Sequence, residues 1–477
     1  MKILLINPPY DIENYYGNLS KMAFIFPPVG LTYLAGFVRE KGHEVCIYDF
    51  QIEERNFSNF LKNFKPDIVG ITCQTALFYN TLKLAKEIKQ QFPKVPVLVG
   101  GAHASYRSHD FFESPDIDVA VRGEGEITLA ELANHYQNKT LELQDIRGIT
   151  FRKEGKIIDN LPRELIENLD ILPIPAIDLL PLEKYHTSPD NYLGKGVGLI
   201  TTTRGCPFNC VFCACKLAFE RTYRKRNLDK VFEEIKYYID NYNISQLFIM
   251  DDCFALDKKR TIEFCDRMIK TGYNKKVLWW CQTRVDLVDE ELLKKMRAGG
   301  CKILSFGIES GVQKILDTIS KRVTLEQIKK TIKLTKKMGL ESRGSFIIGL
   351  PEETFWDSLK TIFFALSLPL IQAKFGLATP YPGTKLWDIA LEEGQVKEKG
   401  EDWNRFTQMA AYTKYNPSYI ARGRKFWELK MLQKVANIVF YFKPSVVFTF
   451  FKRIKNFSDL KYFIKSVLTF FSGSLTK

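Results

Sequence analysis

The stretch TTTRGCPFNCVFCACK, residues 201–216, holds four of the chain's ten cysteines. Small secreted domains use such dense cysteines as disulfide staples, but a chain of 477 residues can bury ordinary hydrophobic cores without them. The amino-terminal sequence MKILLINPPYDIENYY turns polar and proline-rich early, unlike a secretory leader. We therefore expect a cytoplasmic chain with reduced thiols, in which a tight cysteine cluster indicates metal or redox chemistry.

The spacing of these cysteines narrows the kind of metal site. Cys206, Cys210 and Cys213 form a CxxxCxxC pattern. A structural zinc site binds four ligands, commonly as two separated pairs, so three clustered thiolates do not match it. In a [4Fe-4S] cluster, three thiolates bind three irons and leave the fourth iron open to a small molecule. The remaining cysteine, Cys215, lies two residues beyond the third ligand and is expected to be a bystander.

The residues around the cysteines favour a strand followed by a tight loop. Residues 196–203 form a β-branched run typical of a buried strand, and the Gly and Pro of RGCPFNC are typical of a turn. In this context the motif, with Phe212 before its third cysteine, resembles the radical S-adenosylmethionine (SAM) superfamily. The resemblance implies a cluster loop after the first strand of a partial βα barrel, SAM on the open iron, and Phe212 near the adenine. A zinc knuckle is the alternative.

The sequence after the cysteines alternates apolar runs with amphipathic helical patterns, as in a parallel sheet covered by helices. Six βα units within residues 191–400 are expected to form the partial barrel, whose active site would lie at the carboxyl ends of its strands. The later strands are expected within residues 245–254, 277–286, 301–310, 341–354 and 373–384. The polar or turn residues at the strand ends are Asp251, Asp252, Arg284, Glu309, Ser310 and the Gly349-Leu350-Pro351 turn.

The resemblance implies SAM contacts from a subset of these positions. They are Phe212, Arg284, Glu309, Ser310 and Gly349, with Glu309 the best single candidate. For each polar residue taken alone, capping of the next helix is the alternative interpretation.

The first 140 residues carry a second α/β pattern. Five short apolar runs, KILLINPP, HEVCIYDF, DIVGITCQ, VPVLVGG and DVAVRGEGE, predict a doubly wound, flavodoxin-like domain over residues 1–140. Ligands of such sheets bind beyond the carboxyl ends of the strands, where glycines let a bulky ligand approach the backbone. The strand-end candidates are Asn7, Pro8, Thr72, Gly100, Gly101, His103, Gly123, Glu124 and Gly125.

These segments, together with residues 27–45, resemble the cobalamin-binding domain that is fused to radical SAM enzymes. The resemblance runs from residue 1 to about residue 400 and implies cobalamin as a third cofactor, held by the strand-end residues. Many cobalamin domains carry DxHxxG, whose His coordinates cobalt, but this sequence lacks that motif. Cobalt is therefore expected to lack a lower protein ligand, with His103 a structural histidine. A degenerate domain that binds no corrinoid is the alternative.

Residues 141–190 are expected to connect the two domains. Residues 147–160 predict a β-hairpin that turns at Glu154-Gly155, and residues 172–181 form a Pro-rich stretch that resists helix formation. We expect this connection to lay the cobalamin domain over the mouth of the barrel.

Positive charge is concentrated in the C-terminal region, residues 401–477, which is expected to be helical. From residue 424 onward, nine Lys and two Arg face one Glu and one Asp, a net charge of +9 out of the chain's +14. Interleaved Phe, Val and Ile with flanking cations fit an interfacial helix on an anionic bilayer better than a nucleic-acid surface. The alternative is a helical subdomain with its apolar face on the barrel.

The resemblance implies a cobalamin-dependent radical SAM enzyme that methylates an unactivated carbon of a hydrophobic small molecule. Its cofactors would be a [4Fe-4S] cluster, SAM and cobalamin, with a flavodoxin- or ferredoxin-type electron donor, and it would lie peripherally on the inner face of the membrane. Anaerobic ring formation on a tetrapyrrole or lipid is the nearest alternative. RNA methylthiotransferase-like modification ranks lower, because its three further N-terminal cysteines are missing. Non-catalytic cobalamin binding leaves CxxxCxxC unexplained.

Overall fold

Two sheets, one from each half of the chain, build the molecule. The computed structural model describes residues 1–10, 25–185 and 196–453. Within these ranges the predicted α/β architecture is confirmed, with a doubly wound N-terminal sheet, a six-stranded parallel sheet and C-terminal helices. Three predicted features lie partly outside the described residues: the amino-terminal stretch, the domain boundary near residue 190, and the tail beyond residue 453.

The N-terminal sheet is built from continuous apolar strands, as expected when helices cover both faces of a parallel sheet. Its strands are β1 (Lys2–Asn7), β2 (Glu44–Asp49), β3 (Ile68–Thr72), β4 (Val97–Gly100), β5 (Val119–Val121), β6 (Ile149–Lys153) and β7 (Lys156–Asp159). Their order is β2-β1-β3-β4-β5-β6-β7, and the first five are parallel. The strand order of the first five is that of flavodoxin-like folds.

Within residues 1–10 and 25–159, five helices and the predicted hairpin complete this domain. The helices are α1 (Val29–Glu40), α2 (Phe57–Phe64), α3 (Phe78–Gln91), α4 (Ala102–Arg107) and α5 (Glu126–Asn138). The hairpin is formed by β6 and β7 and turns at Glu154-Gly155, both of which have positive φ. Because β6 pairs antiparallel with β5, the hairpin extends the N-terminal sheet.

The second sheet is the predicted partial barrel. Its strands are β8 (Val197–Ile200), β11 (Gln246–Ile249), β12 (Leu278–Thr283), β13 (Cys301–Glu309), β14 (Glu341–Ile348) and β15 (Gln372–Leu377). All are parallel, in the order β15-β14-β13-β12-β11-β8. A short antiparallel pair, β9 (Thr203–Arg204) and β10 (Arg224–Lys225), flanks the cysteine loop.

Helices connect the barrel strands, and several begin where the sequence supplies a capping side chain. Asn227 accepts a hydrogen bond from the Asp229 backbone, and Thr324 forms a capping box with Gln327. The helices are α6 (Cys215–Phe219), α7 (Leu228–Tyr242), α8 (Lys258–Lys270), α9 (Glu290–Ala298), α10 (Gln313–Thr318), α11 (Leu325–Lys337), α12 (Phe355–Ser367) and α13 (Lys385–Glu392).

Buried polar and aromatic contacts join the two domains. The Tyr33 hydroxyl on α1 lies 3.1 Å from the Glu234 carboxylate on α7, and Arg226 pairs with the same carboxylate at 2.6 Å. After α13 the chain returns to the N-terminal domain, where the ring of Trp403 packs 4.8 Å from that of His103. Residues at the carboxyl ends of both sheets, such as Gly100 and Thr201, line one cavity, so these ends face each other, as the sequence predicts.

The C-terminal region, predicted to be helical from residue 401, has only short 3₁₀ turns at Trp403–Arg405 and Ala410–Tyr412 before residue 426. It then forms α14 (Phe426–Tyr441) and α15 (Pro444–Arg453). One face of α14 is core: Leu429 and Phe440 are at most 1% exposed, and the Gln433 amide donates to the Phe375 carbonyl at 2.7 Å. The inner face of this helix therefore packs on the barrel. Across the described residues, no helix has both the length and the apolar character that crossing a bilayer requires.

Candidate functional site

The cysteine loop leaves β9 and is held in place by its own backbone. Gly205 has a φ of +95°, and a side chain there would collide with the Thr222 carbonyl, so the glycine of the RGC sequence is required. Further along, the Val211 amide donates to the Ile319 carbonyl at 3.1 Å, and the Leu386 amide donates to the Val211 carbonyl at 3.0 Å. These bonds fix the loop between two later barrel segments.

The three predicted cluster ligands share this loop and influence one another's ionisation. Burial raises the pKa of Cys213 to about 11 and also raises that of Cys210, while the charges of the other loop thiols act in the same direction. A hydrogen bond with Cys215 lowers the pKa of Cys206 to about 7. The donor set is three thiols in one half-buried loop, which fits a cluster that takes one thiolate per iron.

A single metal ion is a poorer fit for this loop. In the part of the chain that the structure describes, no three His, Cys, Asp or Glu side chains surround a point where one ion could bind. A [4Fe-4S] cluster does not require such convergence, because each thiolate binds its own iron. The role of Cys206, Cys210 and Cys213 as its ligands stays a prediction.

Charged groups from the strand ends surround the loop. The Arg284 guanidinium lies 3.8 Å from the centre of the Phe208 ring and donates to the Lys321 carbonyl at 2.8 Å. The Lys321 ammonium donates to the Glu309 carboxylate at 2.9 Å, and both side chains are buried. Lys321 and Arg284 also act electrostatically on Cys210, which places two cations beside the loop.

The other predicted SAM residues lie in turns at the same end of the barrel. Ser310 is fully buried, with its hydroxyl 3.2 Å from that of Thr361. Gly349 has a φ of +82° and its amide donates to the Glu353 carboxylate. Phe212 is half-buried against the core. Their contacts with SAM, like that of Glu309, stay predictions.

The two aspartates that end β11 anchor the neighbouring backbone. Asp251 is buried and accepts hydrogen bonds from the Thr202 amide at 2.6 Å and the Thr203 hydroxyl at 2.8 Å. Asp252 accepts from the Gly205 amide at 3.3 Å. For Asp251 this is a structural role at the start of the cysteine loop.

A cavity of about 680 Å³ lies between the two domains. Its N-terminal wall contains most of the predicted cobalamin residues: Thr72, Gly100, Gly101, His103, Gly123, Glu124 and Gly125. Its barrel wall contains Thr201, Thr203, Arg204, Ala214, Met250 and Asp252. Since Ala214 stands between Cys213 and Cys215, the cysteine loop itself borders the cavity.

Glycines keep the N-terminal wall of this cavity open. Gly101 has a φ of +99°, and an added Cβ would lie 2.9 Å from the Cys73 carbonyl oxygen. Gly123 also has a positive φ, and a Cβ on Gly125 would lie 3.2 Å from Leu34. A wall without side chains at these positions fits a bulky ligand such as a corrin.

Among the other predicted cobalamin residues, His103 lines the cavity but is buried, whereas Asn7 and Pro8 lie outside it. His103 is 1% exposed, its Nδ1 lies 3.4 Å from the Thr75 hydroxyl, and burial lowers its pKa despite the nearby Asp110. Asn7 donates to Asp49 at 2.9 Å. Asn7 and Pro8 are buried at the end of β1 and do not line the cavity, so their contact with cobalamin stays a prediction.

Glu124 contacts two arginines that the sequence analysis did not single out. Its carboxylate pairs with Arg204 at 2.7 Å and with Arg224 at 2.8 Å. Arg204 and Arg224 pair with Glu124 across 80 and 100 residues of chain, so no local spacing identifies them. A signal was available only for Arg204, which stands beside the CxxxCxxC motif.

Comparison with known proteins agrees with this geometry. Residues 17–133 match the family model of the B12 binding domain, and residues 200–365 match that of the Radical SAM superfamily. An uncharacterized methyltransferase of Pyrococcus horikoshii is 38% identical over 453 residues, covering 94% of each chain. The chain belongs to the B12-binding radical SAM family.

Two further proteins place the chain within this family. The anaerobic magnesium-protoporphyrin IX monomethyl ester cyclase of Rubrivivax gelatinosus is 32% identical, over 83% of this chain and 71% of the cyclase. The radical SAM methyltransferase TsrM of Kitasatospora setae shares the fold, with a TM-score of 0.67 at 18% identity, over 82% of this chain and 75% of TsrM. The predicted family and cofactors, a [4Fe-4S] cluster, SAM and cobalamin, are confirmed.

Proposed function

We propose that this radical SAM enzyme methylates an unactivated carbon of a small molecule. The observation that carries the proposal is the shared cavity, whose one wall is the glycine-rich end of the B12-binding sheet and whose other wall includes the cysteine loop. When bound, SAM on the cluster supplies a 5′-deoxyadenosyl radical and cobalamin supplies a methyl group. A substrate in this cavity would reach both, which is the requirement of radical methylation.

The chain's own residues have three tasks in this reaction. Cys206, Cys210 and Cys213 would hold the cluster on a loop whose backbone is fixed at Val211. The buried Lys321–Glu309 pair keeps charge beside the loop in a setting that excludes water, where electrostatic interactions are strong. The small residues of the N-terminal wall leave room for the corrin.

Anaerobic ring formation is the second candidate, because the cyclase of Rubrivivax gelatinosus is 32% identical in sequence over 83% of this chain. The two reactions differ in what they do to SAM. Methylation consumes two SAM molecules, one yielding methionine and 5′-deoxyadenosine and the other S-adenosylhomocysteine, and needs two electrons. We infer a flavodoxin- or ferredoxin-type protein as their source. Ring formation by hydrogen abstraction yields no S-adenosylhomocysteine.

The products of SAM therefore test the proposal. Anaerobically reconstituted enzyme, with a reductant and an extract of cells lacking the protein, should form 5′-deoxyadenosine and S-adenosylhomocysteine in equal amounts. Formation of 5′-deoxyadenosine without S-adenosylhomocysteine would contradict methylation and indicate ring formation. The Cys210→Ala protein is the control for background cleavage.

We further propose that the enzyme docks on an anionic bilayer and takes a hydrophobic substrate. Helices α12 and α14 lie side by side and run in the same direction. At one end Arg424 donates to the Glu353 carbonyl and the Ser358 hydroxyl, and at the other Lys443 donates to the Leu368 carbonyl. Their outward faces are therefore adjacent.

These outward faces are apolar, although the inward face of α14 already packs on the barrel. Trp356 and Phe363 on α12 are 68% and 66% exposed, and on α14 the exposed residues recur every fourth position. We call this the outer apolar surface; it consists of Trp356, Phe363, Trp427, Met431, Val435 and Val439. Contiguous exposed apolar surface of this kind indicates an interaction site.

The positive charge around the outer apolar surface favours an anionic bilayer as its partner. The exposed Lys360 stands on α12 between Trp356 and Phe363, and the region from residue 424 carries a net charge of +9. Burying each large apolar side chain contributes roughly 1.5–3 kcal/mol. Each cation near an anionic surface adds about 1 kcal/mol. Together these contributions are enough for reversible attachment.

Flotation with phosphatidylserine-containing liposomes tests this docking. The full chain should float at low salt and less at high salt, and Trp356→Ser/Phe363→Ser/Trp427→Ser should abolish flotation. Ile157→Ser/Leu161→Ser, which changes exposed apolar residues near the hairpin, is the matched control and should float normally. A wild-type chain that never floats, or that instead dimerises through this surface, would overturn the membrane proposal and leave methylation intact.

A further inference from the structure

Four charged side chains connect the cobalamin wall of the cavity to the cysteine loop. Arg204 on β9 donates to Glu124 at 2.7 Å through one nitrogen and to Glu126 at 2.6 Å through another. Arg224 on β10 donates to Glu124 at 2.8 and 3.1 Å. We call Glu124, Glu126, Arg204 and Arg224 the arginine clamp.

The four side chains of the arginine clamp are almost completely buried. The exposed fraction of its side chains runs from 4% for Glu124 to 11% for Arg204. Burial raises the pKa of Glu124, but the hydrogen bonds and charges of Arg224 and Arg204 outweigh it, so the pKa is lowered overall. The carboxylate is thus stabilised in its ionised form, and the pairs are charge-assisted hydrogen bonds of well-defined geometry.

Arg204 connects the predicted cluster ligands to the glycine-rich wall of the cavity. Along the chain, Arg204 is two residues before Cys206, the first predicted cluster ligand. Glu124 and Glu126 alternate with Gly123 and Gly125, which line the cavity. A planar guanidinium that binds two carboxylates fixes direction as well as distance, which a lysine cannot do.

We propose that Arg204 is a positioning residue that sets the distance and orientation between the cysteine loop and residues 123–126 of the cobalamin wall. The proposal rests on the proposed function, because only a reaction that uses both cofactors in one cavity needs their separation fixed. The Trp403–His103 ring contact joins the domains away from the clamp, and Tyr33–Arg226–Glu234 joins them beside it, with the Arg204 guanidinium 5.9 Å from the centre of the Tyr33 ring. Loss of Arg204 should therefore leave the domains joined but their facing segments less well aligned.

Pulsed electron paramagnetic resonance tests this alignment without a substrate. Cob(II)alamin and the reduced cluster each carry an unpaired spin, so their dipolar coupling reports the distance between them. The variants are Arg204→Met, Arg204→Lys and Glu126→Gln, each checked first for iron, cobalamin and circular dichroism. Arg163→Met is the matched control, because it removes a half-buried ion pair with Glu131 on the same helix as Glu126 but away from the cavity.

In wild type and Arg163→Met we expect the same narrow distance distribution. Arg204→Met should broaden or shift it, Glu126→Gln and Arg204→Lys should do so less, and 5′-deoxyadenosine should then exceed S-adenosylhomocysteine. A wild-type distribution and product ratio in Arg204→Met would overturn the positioning role. If the wild-type enzyme itself forms no S-adenosylhomocysteine, the proposed function fails instead, whatever the distances show.

Discussion

The two walls of the cavity differ in how they make room and where they adjoin thiols. The N-terminal wall places glycines at strand ends among apolar side chains, with Gly101 and Gly123 in backbone conformations that other residues rarely adopt. The barrel wall adjoins thiols and buried charges, among them Arg284 and the Lys321–Glu309 pair. The first wall provides room for a preformed cofactor through its glycines, and the second adjoins the predicted cluster ligands.

From this contrast we expect the largest loss, that of SAM cleavage, when a cysteine on the barrel side is replaced. Cys210→Ala removes one of three predicted cluster ligands, so SAM cleavage should fall to background, measured as 5′-deoxyadenosine under anaerobic conditions. Cys215→Ala is the matched control and should retain cleavage. Normal SAM cleavage by the Cys210→Ala protein would show that this loop does not hold the cluster.

The second largest effect, a loss of folding stability, should come from breaking the buried Lys321–Glu309 ion pair. Lys321→Met leaves the Glu309 carboxylate buried without its cation, which typically costs roughly 3–5 kcal/mol of stability. Anaerobic denaturant unfolding of the holoenzyme measures this cost. Lys321→Met/Glu309→Gln should recover part of it. An unchanged free energy of unfolding in the single variant would show that Glu309 is not held by this pair.

On the N-terminal wall, the space left by a glycine should matter for cobalamin binding. Gly101→Ala places a Cβ 2.9 Å from the Cys73 carbonyl oxygen at a φ of 99° and a ψ of −167°, a region that is almost exclusive to glycine. The conformation costs about 1–3 kcal/mol. The crowding costs about 1–3 kcal/mol more, and cobalamin retention should fall. Gly155→Ala shares the positive φ but meets nothing within 4 Å, so it should show only the first cost and retain cobalamin.

The smallest effect should come from His103. His103→Phe keeps an aromatic ring beside Phe78, Phe111 and Trp403, so the absorption bands of bound cobalamin should not change. Because burial lowers the pKa of His103 from 6.5, its neutral form stabilises the fold above pH 6.5, and that stability is lost as pH falls. The variant should lose less stability on acidification. A shift of the cobalamin bands would instead make His103 a cobalt ligand.

Sequence reasoning succeeded where the decisive pattern is local. Continuous apolar runs identify buried parallel strands, so both sheets were predictable, and CxxxCxxC identifies the cysteine loop from spacing alone. It found Glu124 but neither of its arginine partners, because Arg204 meets Glu124 across 80 residues of chain, and it did not single out Lys321. It could not assign the tail either, since α14 is apolar on two faces and only the fold decides that Leu429 is buried and Trp427 exposed.

The fate of a labelled methyl group tests the central claim most directly. The enzyme would be incubated anaerobically with methyl-deuterated SAM and an extract of cells lacking the protein, followed by mass spectrometry. The account predicts one compound in which a trideuteromethyl group replaces a hydrogen, formed by wild type and not by Cys210→Ala. A compound that loses hydrogen and gains no label would contradict methylation and identify the enzyme as a cyclase.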